Sequence, residues 1–245
     1  FRMNVKVAMR FLRTDGNFSW FVCSGTMIDA ETVLTAGHCI YDQGGDGIAE
    51  GWATEVYVYP GWDGTGDATP NSPDFPVPET IFNSWGFARG TSYASWSTWT
   101  DNGDWDGDVG LVRVTRAVGM LTGWYGWNYG SSCSTIQDRT YRNNAYPAEF
   151  CGGSLHTGAQ MYTWNGQIDS CPDNQLRIDT NTGCLGAVWG GMSGSSMYYE
   201  SGGDRFASAV CSTSNRSSRA NYARLFEGFV NYMNDTFIPD SRTNS

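Results

Sequence analysis

Short runs of β-branched and aromatic residues, each bounded by clusters of Gly, Asn, Asp and Ser, constrain this chain to an all-β architecture. They fall at 4–11, 19–28, 32–36, 54–59, 109–114, 160–168, 176–179, 195–199 and 205–211. Many short strands of this kind bury their edges by closing into barrels or packing into sandwiches. Helical periodicity is confined to the C-terminus, where Tyr222, Leu225, Phe226, Phe229, Val230 and Met233 recur at intervals of three and four. That stripe predicts one helix over about 221–236, packed on a barrel. At roughly 150 residues per domain, a chain of 245 accommodates one or two domains, and double all-β architectures are routine at this size. The stretch 60–106, dense in Trp, Gly, Pro and Asp, reads as long loop insertions near a functional site.

Charged residues make up 16% of the chain against about 25% in an average protein, and the formal charge is −10. Lys6 is the single lysine. Nucleic acid and anionic membranes reward basic patches, so both are excluded as partners. A hydrophobic content of 40% argues against disorder, and no run approaches the ~18 apolar residues of a membrane span. Seven cysteines without a Cys-x-x-Cys pair point to an oxidising compartment rather than to zinc or thioredoxin chemistry. The chain opens at Phe1 without a basic-then-apolar leader, and the expectation is a secreted protein whose targeting or pro-segment has been removed.

With two histidines in the chain, a general base for a Ser or Cys nucleophile is either His38 or His156. His38 lies in VLTAGHCI, at the end of a strand-like run and beside Cys39. Cys23 stands 16 residues earlier, across two such runs joined by a turn at 29–31. A Cys23–Cys39 disulfide would pin the strand of the base to its neighbour and contribute roughly 3 kcal/mol in the chain-entropy estimate. His156, in CGGSLHTGAQMYTWNG, has no neighbouring nucleophile and reads as structural. WGGMSGSSMY sets Ser193 between two glycine-containing turns before a strand, so that the amides of Gly191 and Ser193 can point into one cavity. An oxyanion hole needs that arrangement, and each donor contributes about 10²–10³ in rate.

DNGDWDGDVGLVRV offers four carboxylates, Asp101, Asp104, Asp106 and Asp108. Asn102, Asp104, Asp106 and Gly107 also fit the first half of a calcium loop, but Arg113 stands where that motif requires an acid. Solvated turns are the commoner use of such residues, as for Asp42, Asp46, Asp63 and Asp67. The expectation is a chemistry with no catalytic metal and no cofactor, with structural calcium as the open alternative.

Taken in order, TAGHC at 35–39, DVGLVRV at 108–114 and GMSGSS at 191–196 resemble the three motifs of the chymotrypsin-like serine peptidases, and among these the bacterial glutamyl endopeptidase or V8-like branch. The resemblance covers most of the chain, although the first two motifs stand further apart than is usual. It implies two Greek-key six-stranded β-barrels with a C-terminal α-helix, residues 1–118 carrying His38 and Asp108 and residues 119–245 carrying Ser193. Ser193 would then be the nucleophile and His38 the base. Asp108 would orient His38, because it directly precedes the apolar strand as in the family motif. The resemblance further implies a Cys171–Cys184 disulfide before the nucleophile and a local Cys133–Cys151 bridge, which leaves Cys211 as a buried free thiol.

For a polypeptide substrate, the family resemblance assigns the side-chain pocket to Ala187, Val188 and Trp189. Extended substrate backbone would pair with 209–214, including Cys211, Ser212, Thr213 and Ser214. The pocket residues include no acid, which disfavours cleavage after Arg or Lys. Glutamyl endopeptidases carry a histidine where Cys211 stands, so a small or apolar preference is favoured, while Arg216 and Arg219 keep a carboxylate preference open. A monomer, activated by removal of a pro-segment, is expected. The rival reading is a catalytically silent homologue that binds glycans or proteins through Trp52, Trp62, Trp85, Trp96, Trp99 and Trp105.

Overall fold

The computed structural model describes residues 2–62, 85–148, 150–151, 154–155, 158–179, 188–215 and 218–239. The N-terminal part comprises β1 (Asn4–Leu12), β2 (Phe18–Met27), β3 (Thr32–Thr35), a small ladder of β4 (Tyr41–Asp42) and β5 (Gly51–Trp52), then β6 (Glu55–Pro60), β7 (Ala88–Ser95), the short helix α1 (Ser97–Asn102) and β8 (Gly110–Val114). Six of these strands close a barrel in the order β1-β2-β3-β8-β7-β6. Alternation along β1 sends Val5, Val7, Met9 and Phe11 into a core shared with Val56, Val58 and Val112. On its other face Ala8 packs with Val22, Tyr57, Tyr59, Trp62 and Tyr146.

Strand β7 lies inside the stretch read as loop insertion. Its sequence, ARGTSYAS, holds one aromatic and one β-branched residue and gives no strand signal; pairing with β6 and β8 on either side holds it extended.

The C-terminal part begins with α2 (Gly119–Thr122), β9 (Gly126–Trp127) and α3 (Cys133–Gln137). There follow β10 (Tyr141–Ala145), the ladder of β11 (Phe150–Cys151) with β12 (Ser154–Leu155), β13 (Tyr162–Gly166), β14 (Gln175–Asp179), β15 (Ser196–Ser201), β16 (Asp204–Ser214) and β17 (Arg219–Arg224). One sheet runs β13-β10-β15-β16-β17-β14, with β9 added to β16. It curls around Tyr141, Leu176, Ile178, Met197, Ala209 and Tyr222, and among the described residues no ladder joins its edge strands β13 and β14. Strand β10, YRNNA, escaped the sequence reading because its buried residues are polar: Asn143 donates to Ser195 Oγ at 2.8 Å, and Asn144 donates to Tyr198 Oη at 2.9 Å.

Two expectations are corrected here. The helix predicted over 221–236 starts later, as α4 (Glu227–Tyr232), and continues through a wider turn at Met233–Phe237. Its predicted first turn is strand β17, because Tyr222 pairs with Cys211 on β16 and with Leu176 on β14, and that slot in the sheet outweighs the helical spacing of its apolar residues. The second correction concerns the disulfides. Cys133 bonds to Cys171, 38 residues away, which overturns both Cys133–Cys151 and Cys171–Cys184. Helix α3 packs beside the segment before β14, where Gln137 donates to the Asp169 carbonyl at 2.6 Å, so the partner of Cys133 comes from across the fold rather than from the next loop. The Cys151 side chain and Cys184 lie outside the described residues. The Cys23–Cys39 bond forms as expected.

Candidate active site

His38 sits in a tight turn, Gly37–Cys39, immediately after β3. A Cβ on residue 37 would stand 2.7 Å from Ser95 Oγ and 2.8 Å from a Trp99 ring carbon, so glycine is required for the turn to seat against β7 and α1. Cys39 ties the other end of the turn to Cys23 on β2. Pairing of Thr35 with Gly110 brings Asp108, two residues before β8, alongside. Asp108 is fully buried. Its Oδ1 accepts the His38 backbone N–H at 2.7 Å and its Oδ2 lies 2.8 Å from His38 Nδ1, which fixes both the ring and its tautomer. A third bond arrives from the other sheet: Ser212 Oγ donates to Asp108 Oδ2 at 2.6 Å. Burial disfavours the charged imidazole, but the carboxylates of Asp108 and then Asp42 outweigh it, and the His38 pKa is raised above its ordinary value. Trp99 and Trp105 flank the ring edge-on, with centroids 6.2 and 5.9 Å away.

Ser193 lies in the turn that feeds β15. It is half-buried, while Gly191, Met192, Gly194 and Ser195 around it are buried. Gly191 and Gly194 hold φ of +88° and +81°, which a side chain rarely adopts. At Gly194 a Cβ would fall 2.1 Å from Thr35 Oγ1, 2.4 Å from the Ser24 carbonyl and 2.8 Å from Ala36 N, so the Ser193 turn presses directly on the strand end that precedes His38. The Ser193 carbonyl accepts Ser24 N at 2.7 Å, and Ser24 Oγ donates to the Gly191 carbonyl at 2.8 Å. The amides of Met192, Gly194 and Ser195 all bond within the protein, whereas among the described residues those of Gly191 and Ser193 donate to no protein acceptor. Two unspent donors beside a half-exposed hydroxyl are what an oxyanion-stabilising turn requires.

Proteins of known structure share this fold. A thermostable serine protease, AL20, from an extremophilic microorganism superposes with a TM-score of 0.69, covering 96% of this chain and 98% of its own at 19% identity. The fold is that of the chymotrypsin-like serine peptidases. By sequence, the chain is similar to a glutamyl endopeptidase of Bacillus licheniformis, 28% identical over 190 residues that form 78% of this chain and 49% of the relative. It is also similar to a Bacillus subtilis protein named extracellular metalloprotease, 27% identical over 136 residues, 56% of this chain and 36% of the relative. The chain therefore spans less than half the length of both curated relatives. No family model matches it.

Within the chymotrypsin-like frame the remaining residues fall into place. The name of the second relative raises a metal site, and Cys23, His38 and Cys39 do cluster closely. Their sulfurs are joined to each other and His38 Nδ1 is engaged by Asp108, so this donor set does not fit a metal. At the calcium candidate, Asp104 accepts Asp106 N at 3.0 Å in a local turn, and Asn174 donates to the Asp106 carbonyl at 2.8 Å.

Val188 and Cys211 are buried in one cluster with Met192, Ala220 and Tyr222, and Trp189 packs at its edge. Burial pushes the Cys211 thiol well up, which removes it as a thiolate nucleophile. Pairing of β16 with β15 stops at Val210, so Thr213 and Ser214 continue beyond that ladder with β17 on one side. The Ser212 side chain contacts Asp108, a role the sequence reading did not find, since the contact spans 104 positions and its signal was the residue type alone. Arg219 pairs with Asp179 at 3.3 Å. Ala187, His156, Arg216, Asp63 and Asp67 lie outside the described residues. Of the tryptophans considered for binding, Trp62 and Trp99 are buried, and Trp52 and Trp105 are exposed.

Proposed function

We propose that this chain is a serine endopeptidase that hydrolyses peptide bonds through Ser193, His38 and Asp108. The observation that carries the reading is a fully buried carboxylate bonded twice to a partly exposed histidine, beside a half-exposed serine whose turn leaves two amides unspent. Ser193 Oγ attacks the scissile carbonyl while His38 takes its proton; His38 then returns that proton to the leaving amine, and water repeats the cycle on the acyl-enzyme. The Gly191 and Ser193 amides receive the oxyanion, and Asp108 holds the imidazole and the imidazolium formed from it. No step calls for a cofactor.

Specificity follows from the pocket wall. Of the residues the family resemblance assigns to it, Val188 and Cys211 are small or medium and uncharged, which supports a preference for small or apolar side chains before the scissile bond. The relative from Bacillus licheniformis is a glutamyl endopeptidase by name. Against that preference here, Arg219 is committed to Asp179 and Cys211 carries no charge to meet a carboxylate. We also propose that the two halves divide near 118, although Tyr125 N still donates to the Met27 carbonyl at 2.9 Å. Secretion accords with the two disulfides among the described residues, and the chain is taken to act as a monomer.

Intact-mass spectrometry after diisopropyl fluorophosphate tests the reading. One adduct is expected on the wild type and none on Ser193→Ala, with a peptide-library digest showing cleavage after small apolar residues. A folded wild type that takes no adduct refutes the nucleophile, and a digest dominated by Glu refutes the pocket.

A further inference from the structure

A cation without a counter-ion lies beneath the loop that backs the Ser193 turn. Lys6, 1% exposed, stands on β1 between its cross-strand neighbours Ser24 and Tyr59. Its Nζ is buried, and among the described residues it has no hydrogen-bond partner and no ion pair. What it has is the Trp62 ring, whose centroid is 5.1 Å away. A cation–π contact offsets only part of the penalty for burying an unpaired ion. Burial accordingly pulls the Lys6 pKa down to about 8.

The surroundings supply one further donor and a residue without a side chain. The Trp62 indole N–H is likewise buried without an acceptor. Gly158, at φ +71°, leaves a methyl-sized place beside the ammonium: a Cβ there would stand 3.5 Å from Lys6 Nζ and 3.4 Å from Ala148 Cβ, both ordinary contacts. A buried cation with a second unpaired donor on the neighbouring ring is complementary to a single negative charge.

We propose that Lys6 Nζ, beside Trp62 and under Gly158, binds a small monovalent anion of the halide type, chloride being the common one in solution. The bound ion neutralises the ammonium and supplies the acceptor that it lacks. It also steadies the oxyanion turn at one remove, because Ser24, the cross-strand neighbour of Lys6, holds the Gly191 carbonyl.

Because Lys6 is the only lysine, protein labelled with ¹³C-lysine gives a single ε-methylene signal. At constant ionic strength, with chloride exchanged for gluconate, this signal is expected to move saturably and Tm to rise; Lys6→Met is expected to lose the chloride-dependent rise. A crystal soaked in bromide should show one anomalous peak in contact with Nζ. A signal indifferent to chloride overturns the site, as does a carboxylate of the chain itself seated on Nζ. A bromide peak with no response to chloride in solution, an adventitious ion only, overturns it equally.

Discussion

Replacing Ser212 by Ala isolates the bond that reaches Asp108 from the second sheet. Asp108 is fully buried and accepts three hydrogen bonds, at 2.7 and 2.8 Å from His38 and at 2.6 Å from Ser212. A hydrogen bond to a charged group contributes about 1.5–3 kcal/mol, and the buried carboxylate keeps its desolvation penalty when one donor leaves. At about 2–4 °C per kcal/mol for a chain of this size, Ser212→Ala should lower Tm by about 3–12 °C. Both bonds to His38 survive, so kcat should fall far less than in Asp108→Asn, where comparable triads lose on the order of 10⁴. Ser212→Thr, which keeps the hydroxyl, should recover most of the stability. Calorimetry of the three variants beside steady-state kinetics reads both effects. A Ser212→Ala protein within about 0.5 kcal/mol of wild type, the range of an ordinary surface change, would refute the claim that Asp108 depends on this donor.

Gly194→Ala should abolish activity and strongly destabilise the fold, since its Cβ meets Ser24 and Ala36 backbone atoms at 2.4 and 2.8 Å in a backbone held at φ +81°; circular dichroism melting and an active-site titration check both. Asp42→Asn removes one of the two carboxylates that raise the His38 pKa, so the acid limb of kcat/KM should move to lower pH. The sign for stability is opposite to that for activity: the contribution from protonated His38 is full below about 6.5 and fades as pH rises through the raised value, while the neutral base is gained over the same interval. Cys133→Ser opens a loop of 38 residues and should cost about 4 kcal/mol in the chain-entropy estimate, measurable by denaturant unfolding, with non-reducing peptide maps of the wild type showing Cys133 joined to Cys171.

The sequence disclosed most where chemistry and local pattern coincide. TAGHC and GMSGSS announce themselves because a base beside a bridging cysteine and a serine between glycines are rare combinations with few other uses. Of the first barrel, the strands rich in Val, Phe and Tyr were legible, and β7 was not, because its neighbours rather than its residues make it a strand. At the C-terminus the same apolar residues satisfy helical and strand spacing alike up to Leu225, and the vacancy between β14 and β16 decided the matter. Ser212 and Asn143 act through partners 104 and 52 positions away, and no local pattern encodes such pairs. The Cys133–Cys171 bond was missed for the same reason, since disulfide connectivity depends on which loops the fold brings together.

Two hydroxyls cross the seam between the sheets in opposite directions. Ser212 of the second holds the aspartate of the first, and Ser24 of the first holds the glycine carbonyl that shapes the turn of the second. Neither half is armed by itself. Separating them by little more than the length of a hydrogen bond would part Ser193 from His38 and free the Gly191 carbonyl at once, with both bonds from His38 to Asp108 intact and every strand still paired inside its own sheet. Turnover in such a molecule reports on docking, and under mild denaturant it should vanish while the β-sheet signal persists.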